Sequence, residues 1–318
     1  MSKLPEVMRT GLRLPVIAAP MFRVSGPDLV LAACQAGVIG GLPAHNAADS
    51  NELEAWLERI YGAFEVQPGA APLAVNMPTA KFGGARFEPD LKLLERYKVP
   101  VVITAIGDPT EVVQAAHGWG GVVLHDATTV AHAEKAIEAG VDGLNVICGG
   151  AGGHAGVLNP FAFLPQVRRF FDGVICLAGS MSNGRSILAA QMLGADLVYM
   201  GTRFIATRES MAVDDYKALL VSEGSSDVIY TDRVAGLPGN FLRSSITRAG
   251  LDPDNLPEPL GPRQANLPDG IRPWRQIWSA GHGIGLIDDV PTVAELVERL
   301  ESEYIAARGA ATDLLGSL

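Results

Sequence analysis

The sequence predicts a closed (β/α)8 barrel with a small, mostly helical insertion after the eighth strand, and three observations predict it. Eight short apolar runs recur along the chain, at residues 16–19, 38–40, 73–76, 101–104, 121–124, 143–147, 174–178 and 197–200. Several are apolar throughout rather than alternating, as parallel strands covered on both faces must be. Between the runs lie segments able to form helices, at 26–36, 51–61, 90–97, 110–117, 129–139, 160–171 and 184–193. Several open on cap-type residues, such as Ser182-Asn183 before Gly184 and Asp108-Pro109 before Thr110. Third, the segments Gln35-Ala-Gly-Val-Ile39, Glu138-Ala-Gly-Val-Asp142 and Met192-Leu-Gly-Ala-Asp196 share one register. In each a glycine suits a helix C-cap and the next strand begins at once. Eight such strands with short crossovers suit a barrel. A doubly wound open sheet is the alternative, but no Gly-x-Gly-x-x-Gly follows the first strand.

After Met200 the rhythm changes. Residues 209–272 are polar and turn-rich, with Pro238, Pro253, Pro257, Pro259 and Pro262. Residues 209–273 therefore read as a lid over the barrel mouth, and 1–208 with 274–318 as the barrel. The pattern resumes at Trp274-Arg-Gln-Ile-Trp278, and residues 292–307 form the eighth barrel helix. Trp274 and Trp278 either hold the lid to the barrel or simply fill core. An independent C-terminal domain is disfavoured, because some sixty residues make a weak core.

With 318 residues, 48% hydrophobic and 19% charged, the chain is globular and core-rich. The net charge is −10, and no lysine and arginine cluster offers a nucleic-acid surface. An anionic phosphate would bind through local amides. Cys34, Cys148 and Cys176 are few, odd in number and unpaired by spacing, which argues against a disulfide scaffold or zinc site. Cys148 is either a reactive thiol beside a glycine loop or a buried structural one. Residues 1–13 lack an apolar signal core, and the apolar stretch 29–44 is interrupted by Gln35, Gly37, Gly40 and Gly41. A soluble cytoplasmic protein is expected.

Chemistry concentrates at the predicted strand ends, where barrels place their active sites. The sixth strand runs into Ile147-Cys-Gly-Gly-Ala-Gly-Gly-His-Ala-Gly156, with five glycines between Gly149 and Gly156 and one imidazole, His154. Such a loop lets backbone approach a ligand, and the histidine can exchange a proton near neutral pH. His45 follows the second strand, His125 ends the fifth and His282 sits in Ser279-Ala-Gly-His-Gly283, whereas His117 and His132 fall on helices. Two loops suit a phosphate: Ala178-Gly-Ser-Met-Ser-Asn-Gly184 and Met200-Gly-Thr-Arg-Phe204, each with glycine, hydroxyl and free amides near a helix start. Arg203 is either a phosphate ligand or half of an ion pair at the rim. Asn76 ends the third strand, where its amide would bond a heterocycle edge or cap a turn, and Pro20-Met21 close the first. No residue cluster has metal-ligand spacing and no nucleophile elbow appears.

The ordered segments Pro15-Val-Ile-Ala-Ala-Pro-Met21, Ala74-Val-Asn-Met77, Ala151-Gly-Gly-His-Ala-Gly156, Leu177-Ala-Gly-Ser180, Met200-Gly-Thr-Arg-Phe204, Ile277-Trp-Ser-Ala-Gly281 and Gly285-Leu-Ile-Asp-Asp289 resemble those of the nitronate monooxygenase (2-nitropropane dioxygenase-like) flavoproteins. The resemblance implies one non-covalent FMN at the barrel mouth. Gly179, Ser180, Gly201 and Thr202 would hold its phosphate, and Pro20, Met21 and Asn76 would contact the isoalloxazine. Gly152 and Gly153 would pack near it, with His125 and Ala178 completing the cofactor set. His154 falls on the family's active-site histidine, as base on a nitroalkane or as hydrogen-bond partner of a nitronate, with O2 as co-substrate. His45, Ser279 and His282 would line the substrate pocket, and a homodimer is one assembly consistent with the family. NADH:quinone reductases and FMN-dependent enoyl reductases share most of the motifs, so NAD(P)H as electron donor is the alternative chemistry. A flavin carrier without turnover would leave His154 structural. Two positions depart from the family: Gly150 stands where relatives often carry an acid, and Asp126 where they commonly carry lysine after histidine.

Overall fold

The structure, a computed structural model, describes residues 4–316. Its strands in chain order are β1 (Val16–Ala18), β2 (Ile39–Pro43), β3 (Leu73–Asn76), β4 (Val101–Thr104), β5 (Val122–Ala127), β6 (Gly143–Ile147), β7 (Gly153–His154), β8 (Val174–Ala178), β9 (Leu197–Met200), β10 (Val228–Thr231) and β11 (Gly239–Leu242). Strands β1 to β6, β8 and β9 close a barrel in that order, every pair parallel, with β9 returning to β1. The eight expected runs are these eight strands, with ends shifted by a residue or a few.

Side-chain alternation along each strand separates two cores. Ile17, Ile39, Ile103, Leu124, Cys176 and Leu197 fill the barrel interior. Val75, Val102, Val123, Val146, Ile175 and Leu177 face outward to the helices. The helices are α1 (Glu6–Arg9), α2 (Pro27–Ala36), α3 (Ser50–Val66), α4 (Ala80–Gly83), α5 (Phe87–Arg96), α6 (Thr110–Trp119), α7 (Val130–Glu138), α8 (Pro160–Arg168), α9 (Gly184–Met192), α10 (Thr202–Ile205), α11 (Asp214–Ser222), α12 (Arg243–Arg248) and α13 (Val293–Gly316). Helix α13 fills the eighth place, between α9 and α2. Gly184 makes that approach feasible, since a Cβ there would stand 2.2 Å from the Tyr304 nitrogen.

The segment after β9 carries less helix than the sequence suggests. Between residues 209 and 273, helices α11 and α12 hold only nine and six residues, and a long stretch from 249 onward is turns. Prolines there remove amide donors that a helix would need. Strands β10 and β11 form an antiparallel pair, and β7 from the glycine loop adds as the third strand, with His154 opposite Gly239. The segment has its own small core of Val234, Phe241, Ile246, Leu256 and Ile277, against which Trp274 packs. Trp278 packs instead with the barrel's outer core. Each tryptophan touches both parts, since Trp274 also meets Phe22 after β1 and Trp278 also stacks on Tyr216 of α11.

All three cysteines are buried and unpaired. Burial pushes the Cys148 thiol up to about 12, so it is the structural thiol of the two readings. No helix among the described residues is long and apolar enough to cross a membrane.

Candidate active site at the barrel mouth

A cavity of about 1670 Å³ opens at the C-terminal ends of the barrel strands, beneath the segment that follows β9. A single small-molecule site typically occupies about 300–1,000 Å³, so this one has room for a cofactor and a substrate together.

One wall is a backbone cradle. Where β8 ends, Gly179 (φ 123°) and Ser180 (φ 57°) both take left-handed conformations. The amides of Gly179, Ser180 and Gly201 donate to no acceptor among the described residues, and all three residues line the cavity. Unpaired backbone donors at two adjacent strand ends are the kind of group that receives an anion. The Thr202 hydroxyl is fixed by accepting from the Gly281 amide at 2.9 Å. The first turn of α9 does not contribute as the sequence suggests. There the Gly184 amide donates to the Glu303 carboxylate at 2.7 Å and Asn183 caps Ser186. Those donors are already satisfied by a local acid and a local amide.

The floor is the uppermost inward-facing layer of the barrel, with Asn76, Asp126, Ile147, Ala178 and Tyr199 on the cavity wall. Asn76 donates through Nδ2 to the Ile103 carbonyl at 3.2 Å, which leaves its Oδ1 free to accept from a heterocycle N–H. Pro20 and Met21 form the adjoining wall, where Asn46 fixes the Met21 carbonyl at 2.9 Å. Gly152 sits tightly against this frame, because a Cβ would meet the Gly281 nitrogen at 2.9 Å, whereas Gly153 faces open space. The donor set and the free acceptor fit a flavin mononucleotide: amides for the phosphate, Asn76 for the ring edge.

His154 lines the same cavity. Its Nδ1 lies 3.4 Å from the Pro238 carbonyl and its ring meets Trp274 edge-on, with centroids 5.0 Å apart. The ring is open to the cavity yet surrounded by protein. Burial lowers its pKa, the Pro238 carbonyl partly opposes that, and nearby Arg263 adds to it. The imidazole is therefore neutral at pH 7. A proton on Nδ1 facing the carbonyl leaves Nε2 as a basic acceptor.

Not every expected residue arrives here. His125 points outward from the barrel, its Nδ1 2.8 Å from the Thr104 hydroxyl, and burial lowers its pKa to about 4. It lines an outer limb of the cavity along α7, and its neighbour Asp126 takes the inward place. His45 lies exposed on the 3-10 turn Ala44–Asn46, away from the cavity wall, and Asn46 beside it donates instead to the Met21 and Ser25 carbonyls. His282 is exposed too: its amide donates to the Gly150 carbonyl at 2.9 Å and its ring stays off the wall. Ser279 does line the cavity, with its carbonyl held by the Tyr216 hydroxyl. Arg203 is buried and donates to Asp289 at 3.0 Å, so it is the structural ion pair. Gly150 (φ 84°) lies beside the cradle, where a Cβ would stand 2.6 Å from the Ser180 Oγ.

Among the wall residues that had no place in the expected site are Tyr199, Trp274 and, as a wall residue, Asp126. Counting by twos along β5 and β9 from the interior residues Leu124 and Leu197 finds Asp126 and Tyr199. Trp274 belongs to a turn with no such period.

The nitronate monooxygenase family profile matches residues 6–303. A nitronate monooxygenase of Paraburkholderia phytofirmans is 29% identical, the match covering 92% of this chain and 93% of that one. A 5-hydroxy-7a-methyl-1-oxo-octahydro-1H-indene-4-carboxyl-CoA dehydrogenase of Rhodococcus jostii is 27% identical over 97% of this chain and 96% of its own. Among solved structures, FabK of Thermotoga maritima superposes with a TM-score of 0.77 at 23% identity over 98% of both chains. A nitroalkane oxidase of Streptomyces ansochromogenes superposes with a TM-score of 0.74 at 24% identity, over 94% of this chain and 98% of that one. These two share the barrel fold. With the profile covering the barrel and every loop of the site, the chain belongs to the nitronate monooxygenase family of flavin-dependent oxidoreductases.

Proposed function

We propose that the protein oxidises alkyl nitronates with O2, using one non-covalently bound FMN. The observation that carries this reading is His154, a neutral imidazole that lines the same cavity as the backbone cradle and the inward floor. The amides of Gly179, Ser180 and Gly201 hold the phosphate, and Asn76 Oδ1 accepts from the ring edge. His154 takes the α-proton from a nitroalkane through Nε2, or donates to a nitronate oxygen once protonated. Trp274 and the turns after β11 cover the mouth and keep bulk water from the reacting carbon. The flavin, when bound, supplies the electron-accepting and oxygen-reactive chemistry. Oxygen uptake by flavin-loaded protein with propyl 1-nitronate and propyl 2-nitronate tests the reading. Uptake that follows nitronate concentration supports it, and no uptake with either overturns it.

A second reading, reduction of a quinone or activated alkene by NAD(P)H, is favoured by the cavity's outer limb along α7, which a small nitronate leaves empty. The similarity to a protein named as a CoA-ester dehydrogenase fits a larger substrate as well. Rapid loss of flavin absorbance with NADH or NADPH alone would select it, and no loss with either would exclude it.

A further inference from the structure

We propose that Asp126 is a proton-holding acid beneath the cofactor ring that couples the ring's gain of electrons to proton uptake and so sets its reduction potential. The inference rests on the flavin reading above.

Strand β5 sends Val122 and Leu124 into the barrel interior, and the two-residue period places Asp126 on the same face at the strand's C-terminal end. In register, Asp126 lies beside Asn145 on β6, and Asn145 beside Cys176 on β8. Asn145 donates through Nδ2 to Asp126 Oδ1 at 2.8 Å, while its own buried Oδ1 has no partner. The second oxygen of Asp126 bonds to no described residue, and the side chain lines the cavity floor. It is the oxygen available to a ligand seated there.

No cation offsets a charge at this place. The groups that act on it from neighbouring strands are the Asn145 amide, the Cys176 thiol and the Tyr199 phenol. Burial pushes both of the latter well above their usual ranges, so they are neutral at pH 7. Interior residues of β1, β2, β3 and β4 are aliphatic apart from Asn76 at the mouth. Asp126 has no charged partner among the described residues, and His125 on the same strand points the other way. A carboxylate so enclosed is disfavoured and the neutral acid is retained, which raises the pKa to about 7. As a neutral acid, Asp126 donates one hydrogen bond into the cavity. When ionised, it opposes negative charge on the ring above. At a pH above its ionisation, Asp126 therefore takes one proton from solvent for the electron pair that a reductant delivers.

The test is the reduction potential of the flavin-loaded protein, titrated with dithionite against a reference dye from about pH 5.5 to about pH 9. Asp126→Asn keeps the shape and removes the ionisation. Above about pH 7 the wild-type potential should fall with pH more steeply than that of the variant, by one proton per electron pair, and the two should run parallel below. Parallel curves at every pH overturn the role of Asp126 and leave the flavin reading intact. Protein that takes up no flavin on reconstitution overturns both together. Infrared spectroscopy of the cofactor-free protein gives a second readout. A protonated-carboxyl band present at acid pH, lost through neutrality and absent from Asp126→Asn, supports the proposal, and no such band in the wild type overturns it.

Discussion

The ring of Trp274 stands edge-on to that of His154, at 70° with centroids 5.0 Å apart, and pins it between β11 and the barrel mouth. Trp274 also meets Phe22 after β1 and Phe241 on β11, and takes a left-handed backbone (φ 58°) that a bulky residue rarely adopts. A strained aromatic touching three parts of the site is a placement device. Trp274→Ala should lower kcat/KM by up to about 10²-fold, since a misplaced base loses its attack geometry. Trp274→Phe should restore most of that loss. Steady-state kinetics of both variants checks it, and equal rates in all three proteins would remove the placement role.

His154→Ala should cost about 10²–10⁴-fold in kcat/KM if the imidazole is the base. Its pKa is lowered, so the working, neutral form prevails at pH 7 and is lost only on acidification. The pH profile of kcat/KM for a neutral nitroalkane should therefore be flat near neutrality and fall on the acid side, with its inflection below 6.5. An inflection above that value would contradict the neutral imidazole.

Asp126 also makes a stability prediction, measurable without cofactor. Its folded pKa of about 7 lies above the value of 3.8 for a free carboxyl, so the folded state binds the proton more tightly than the unfolded chain. Its contribution is fully present below the unfolded value and is lost as pH rises from there through about 7. Asp126→Asn should therefore gain stability relative to wild type between about pH 5 and about pH 8, by a few kcal/mol at most. Denaturant unfolding at the two pH values measures the difference, and a pH-independent difference would show that Asp126 is ionised throughout.

Gly150 combines a left-handed backbone with a neighbour 2.6 Å from any Cβ, the Ser180 Oγ of the cradle. Gly150→Ala should destabilise the protein by about 1–2 kcal/mol and weaken cofactor binding by displacing Ser180. Thermal unfolding with and without added FMN reports both effects. An unchanged Tm in both conditions would show that the loop adapts at no penalty.

The barrel was legible because its signals are local and repeated. Apolar runs and caps recur along the chain, and the helix-ending glycines Gly37, Gly140 and Gly194 repeat in three units, each with positive φ in the structure. That two glycine and hydroxyl loops meet the cavity was legible because they stand at adjacent strand ends. The direction of side chains was not read at the mouth. His125 and Asp126 are neighbours in the chain, yet the pleat sends the first outward and the second inward. The pairing of β7 with β11 joins residues 154 and 239, and no periodicity announces a strand of two residues recruited by a distant hairpin. For the same reason the segment after β9 looked more helical than it is. Arg203 carried no sign of its partner, since Asp289 lies 86 residues away.

The most direct test of the account is an anaerobic titration of the purified, flavin-loaded protein with propyl 2-nitronate, set beside the same titration with NADH. The account predicts flavin absorbance bands that change on adding nitronate, slowly or not at all with NADH, and that recover when air is admitted. Bands that ignore the nitronate and bleach at once with NADH would contradict it.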